Sequence, residues 1–170
     1  MLGTDDGMDM MNPDDLARAV KLLNGVRGLT AWGAHHSVGS LVSVEFGEPR
    51  TDDPARGRYG LFLYQTAWRW ETDQEILMSS EDPPATLRET VPRLNSRTVT
   101  AVRVESPSLS ARFDFDDGSR LRTFTIRTLA EDATEHWMMF LPDNRVFVAG
   151  PGGHWSIEAA NQNNQPEVGR

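Results

Sequence analysis

Residues 61–70 read LFLYQTAWRW, and the rest of the chain is read outward from this run. It is almost wholly apolar or aromatic, with Gly57 and Gly60 before it and Glu71-Thr72-Asp73 after it. A bounded run of this length and composition predicts a strand rather than a helix. Alternation along one strand puts Phe62, Tyr64, Thr66, Trp68 and Trp70 on one face. Leu61, Leu63 and Ala67 fall on the other, together with Gln65, Arg69 and Glu71. Two apolar faces at its start and one at its end suit the middle of a curved antiparallel sheet.

Upstream, the clearest element is a helix over 13–23. Asn12 can cap it, Pro13 suits the first helical position, and Asp14 and Asp15 favour the positive end of the dipole. Leu16, Ala19, Val20 and Leu23 recur at helical spacing, with Leu16, Val20 and Leu23 expected to pack on a sheet and Gly25 as a left-handed stop. The period then changes to two. Residues 29–32 predict a short strand before the turn-rich GAHHSVGS, and 41–46 a firmer one with Val42, Val44 and Phe46 inward. GEPRTDDPARG, residues 47–57, is a loop by its prolines and glycines.

Downstream, 75–79 predicts a strand and 85–91 a short helix opened by Pro83-Pro84. A meander follows: strands at 98–105, 109–115, 121–127, 136–141, 145–149 and 154–158. Asp117-Gly118 marks a hairpin, and a three-residue loop over 116–118 would pair Phe113 with Leu121, whereas a longer loop would change that register. HWMMFL at 136–141 is apolar on both faces, which predicts a central strand. The fold expected is α+β and mostly β: one N-terminal helix packed on a strongly curved antiparallel sheet or half-open barrel. The expected organisation is a flexible tail over 1–12, a single domain over 13–158 and a disordered tail over 159–170.

The totals narrow the function classes. The 170 residues allow one domain with a sizeable core, and no apolar run is long enough to span a membrane as a helix. With no cysteine, disulfides and thiolate metal sites are excluded. The first residues lack a basic start and an apolar block, so no signal peptide is expected and a cytoplasmic protein is the plain reading. A net charge of −8 disfavours nucleic acid and favours a basic partner. Lys21 is the single lysine among the 17 basic residues, a bias that suggests a GC-rich bacterial genome.

No motif names a reaction. His35 and His36 are adjacent and point to opposite faces of a strand, and no spacing of His136 and His154 suits a metal. Asp114-Phe115-Asp116-Asp117-Gly118 lacks the spacing of a calcium loop, and Gly150-Pro151-Gly152-Gly153 lacks the Lys-Ser/Thr of a phosphate loop. No catalytic residue, cofactor or metal is therefore expected. The five tryptophans are the sharper feature, either as core or as interface anchors.

The order of landmarks carries a resemblance. Gly39-Ser40 precedes a strand ending Phe46-Gly47, Trp68-Arg69 ends another, and Ser79-Ser80-Glu81-Asp82 follows. Then come the hairpin Phe113, Phe115-Asp116-Asp117-Gly118, Leu121, Phe124 and a late Trp137 strand. This arrangement resembles small bacterial β-rich proteins of the kind encoded beside polymorphic toxins as their immunity proteins. The resemblance implies a bacterial cytoplasm and a stoichiometric binding protein rather than an enzyme, and it brings no functional residue with it.

Two functions are carried forward. The first is a non-catalytic protein-binding module, an immunity-type inhibitor of a basic toxin. Its expected contacts are Glu45, Glu48, Asp52, Asp53, Asp116 and Asp117, with Trp68, Arg69 and Trp70. Neither nucleic acid nor membrane is an expected partner. The alternative is a small-molecule binder or hydrolase in the mouth of the curved sheet, using Trp68, Trp70, Arg69 and a histidine.

Overall fold

A computed structural model describes residues 13–125 and 135–160. Among them the chain is mostly β, with eleven strands in two antiparallel sheets and two α-helices. The six-stranded sheet runs in the order β1 (Ala31–His36), β2 (Val42–Pro49), β3 (Gly57–Leu63), β9 (Trp137–Phe140), β10 (Arg145–Ala149), β11 (Trp155–Ala159). The five-stranded sheet runs β5 (Ile76–Ser79), β4 (Ala67–Glu71), β8 (Arg120–Phe124), β7 (Ala111–Phe115), β6 (Val99–Val104).

Residues 61–70 are therefore not one strand. The run leaves the six-stranded sheet at Leu63 and enters the five-stranded sheet at Ala67. Tyr64 N–H still donates to His136 O (2.9 Å), beside β9, whereas Thr66 Oγ1 already donates to Phe124 O (3.0 Å) in β8. The corner shifts the alternation by one residue. Leu61 and Leu63 point inward before it, Trp68 and Trp70 after it, and Phe62 lies on the opposite, outer face. Strands that bend from one sheet into the next are how sandwich corners are built.

One core fills the space between the sheets, joining Val44, Leu61, Met139 and Phe147 on one side to Trp68, Trp70, Phe113 and Leu121 on the other. The Phe113 and Trp137 rings meet edge-on across it at 6.0 Å. Trp68 Nε1 donates to Ser40 O (2.9 Å), tying β4 to the turn after β1. The half-open barrel of the sequence reading is corrected to two stacked sheets. Besides the corner at 64–66, they join where Ala31 N–H donates to Arg97 O (2.7 Å) and Thr30 bridges Thr98. There Asn24 blunts the β6 edge, its amide donating to Val102 O and accepting Val102 N–H, both at 2.9 Å.

The helices close the core. α1 (Pro13–Leu23) buries Asp15, Ala19 and Leu23; of the expected face Leu23 is buried, whereas Leu16 and Val20 are half-buried. Leu16 still packs against the core from its margin. The chain after α1 continues as a 3₁₀ turn, and Gly25 serves close approach rather than a left-handed stop, since a Cβ there would lie 2.0 Å from Tyr59 Oη. α2 (Pro84–Thr90) is a second helix, and with the turn after it supplies Leu87, Val91 and Leu94 to the core. β1 runs on through Gly33-Ala34-His35-His36, which the sequence reads as turn. The expected tail over 1–12, residues 126–127 and most of the expected tail after 158 lie outside the described residues. No helix among the described residues is long and apolar enough to cross a membrane.

Candidate functional site

The expected contact residues separate into three places. Trp68 and Trp70 are each 1% exposed and belong to the shared core. Trp70 Nε1 donates to Ser119 Oγ (2.9 Å), so both indole N–H groups are used internally. The alternative reading, which needed both rings in an open mouth beside Arg69, loses its walls. Arg69 sits on the outer face of the same strand, facing away from them.

The acids form no common face of free carboxylates. Glu45 is buried on the outer face of the six-stranded sheet, accepting Gly57 N–H (2.8 Å) and pairing with Arg56 (3.1 Å). Asp52 holds Arg50 in a fork at 2.8 and 2.9 Å, and Asp53 Oδ1 accepts Ala55 N–H. At the β7–β8 hairpin, Asp116 accepts Thr98 N–H (3.1 Å) and Asp117 pairs with Arg97 (2.8 Å). Glu48 is exposed at the end of β2 and lines an open depression of about 440 Å³ with Trp32 and Arg58. The histidines divide likewise: His136 is buried just before β9 and His154 exposed before β11.

Arg69 leads to an arrangement absent from the sequence reading. On the outer face of the five-stranded sheet it lies opposite Arg122, Arg122 opposite Arg112, and Arg112 opposite Arg103. Four arginines thus cross β4, β8, β7 and β6 in one row. Adjacent strands lie about 4.8 Å apart, so the row spans about 14 Å. Beside it runs a second row of mixed sign, Glu71 opposite Arg120 and Arg120 opposite Asp114.

The local sequence explains the outward placement. In each strand the arginines alternate with core residues: Trp68 and Trp70 flank Arg69, Ala111 and Phe113 flank Arg112, and Leu121 and Thr123 flank Arg122. Glu71 organises one end of the row. It pairs with Arg69 and accepts from Arg120 (3.1 Å) and Arg122 (3.4 Å). Burial opposes its charge, yet the hydrogen bonds from Arg69, Arg120 and Arg122 prevail and hold its carboxyl below the ordinary range. The Arg69 and Arg122 guanidinium carbons lie 4.7 and 5.3 Å from the centre of the Phe124 ring, which braces both. Arg112 pairs with Asp114 at 2.6 Å. Arg103 is exposed and has no ion pair among the described residues.

Comparison with known proteins adds no name to this face. No family model matches the chain, and neither does any curated protein or solved structure. Guanidinium groups with a third or more of the side chain exposed, as at Arg69 and Arg112, can turn planar forks toward carboxylates or phosphates. They carry no nucleophile or general base, and among the described residues no three His, Asp or Glu side chains converge as metal ligands. The hairpin register that pairs Phe113 with Leu121 already sets Arg112 opposite Arg122, so half of the row was within reach of the sequence.

Proposed function

We propose that the protein is a non-catalytic protein-binding module, an immunity-type inhibitor that neutralises a bacterial toxin, with the outer face of the five-stranded sheet as its recognition surface. The observation that carries the reading is the braced row of arginines, a group of residues most enriched at interfaces and set on rigid strands rather than loops. Overall charge and local charge then have separate tasks. A net charge of −8 steers a basic partner toward the molecule, and the arginine row fixes its register on contact.

The test is titration of the full chain with the products of the genes flanking its own, together with the toxicity of each product in the presence of the chain. A stoichiometric complex that abolishes toxicity, and forms more slowly as salt is raised, is the expected result. A set of flanking products that neither binds nor loses activity contradicts the reading.

A further inference from the structure

We infer that the row Arg69, Arg122, Arg112, Arg103 docks a protein surface bearing a row of carboxylates, the chemistry of an acidic helix face. The inference rests on the reading of the chain as a binding module and names the partner chemistry of that same face.

Like charges directly opposite on neighbouring strands oppose sheet formation. Here the conflict recurs at three successive pairings. Glu71 offsets it between Arg69 and Arg122, and Asp114 engages Arg112. No described acid does so for Arg103. A break with local preference repeated across four strands marks a surface shaped by something outside the sheet.

The charge around the row selects the occupant. A long polyanion such as nucleic acid meets a molecule of net charge −8, and its phosphates would also cross Glu71 and Asp114 beside the arginines. A short line of carboxylates follows the row itself, with Glu71 and Asp114 along one side, already paired to Arg69, Arg122 and Arg112. On a helix, glutamates at i, i+3, i+7 and i+10 share one face and rise about 15 Å, against the row's span of about 14 Å. Each carboxylate then faces one guanidinium fork in the geometry that Arg satisfies and Lys does not.

The probe is a labelled helical peptide with glutamates at i, i+3, i+7 and i+10, titrated into the full chain at low ionic strength. Binding should perturb the guanidinium NMR signals of Arg69, Arg103, Arg112 and Arg122. Arg103→Ser with Arg112→Ser should weaken it about tenfold or more, and Arg112→Lys should weaken it measurably while keeping the charge. Asp52→Asn with Asp53→Asn should leave it unchanged. Absence of binding overturns the inference, as does tighter binding by an oligonucleotide of equal charge or by a lysine version of the peptide. Equal affinity in the serine variant, shown folded by an unaltered circular dichroism spectrum, overturns it too. If the peptide fails while a flanking gene product still forms its inhibitory complex, the binding module stands and the carboxylate partner falls. If the peptide binds and no such product does, the carboxylate partner stands and the toxin-inhibitor reading falls.

Discussion

The outer faces of the two sheets are built on opposite principles. That of the six-stranded sheet is a second hydrophobic cluster of Phe62, Met138, Phe140, Val146 and Val148, from 0% to 8% exposed. Arg56 lies over it, 4.7 Å from the centre of Phe62 and 4.9 Å from that of Phe140. That of the five-stranded sheet is ionic, with its arginines partly in water. Antiparallel sheets commonly bury one face and solvate the other, and here only the five-stranded sheet does so. The difference teaches how each face meets its surroundings: one outer face is closed by packing, the other is ionic and partly open to water.

The largest effect that separates them is truncation of a ring. Phe62→Ala should cost about 3–5 kcal/mol in denaturant unfolding, as for a buried aromatic, and Phe124→Ala about 1 kcal/mol from lost ring–cation contact. Equal losses would end the contrast between packed and ionic faces.

A second test uses the one buried glutamate on each face. Glu71, held low by its arginines despite burial, contributes stability that is present above the ordinary carboxylate value of 4.5 and is lost as pH falls through its folded value. Glu71→Gln should therefore cost about 1.5–3 kcal/mol at neutral pH and converge on the wild type in acid. Glu45 is shifted the other way, because burial outweighs the Gly57 N–H and Arg56. Its contribution is fully present below 4.5 and is lost as pH rises through its raised value. Glu45→Gln should match the wild type in acid and exceed it by about 1 kcal/mol or less at neutral pH. Parallel pH profiles for the two variants would show that the faces do not differ in this respect.

The contrast was partly legible beforehand. Alternation in 111–115 reads as one wet face, and HWMMFL reads as a strand apolar on both, which is where β9 lies, between β3 and β10. The β7–β8 hairpin also reads through, with Phe113 opposite Leu121 and Gly118 at φ 82°. The corner at Tyr64-Gln65-Thr66 did not. LFLYQTAWRW is apolar on both sides of it, and a change of sheet leaves no mark in such a run. β1 was masked because Gly33, His35 and His36 are residues that turns also use. The arginine row was hidden for a different reason: each arginine reads as an outward strand residue, but its opposite number depends on pairings between strands distant in the chain, as between Arg69 and Arg122.

The central claim is that the Arg112–Arg103 end of the row, away from Glu71, is kept for recognition and adds nothing to folding. The most direct measurement is the unfolding free energy of the chain carrying Arg103→Ser and Arg112→Ser, set against the wild type at low ionic strength. Removing two like charges from facing positions should leave stability unchanged or raise it by up to about 1 kcal/mol, since relief of the facing charges offsets loss of the half-buried Arg112–Asp114 pair. A loss of more than about 1 kcal/mol would make the row a structural element of the sheet and contradict the account.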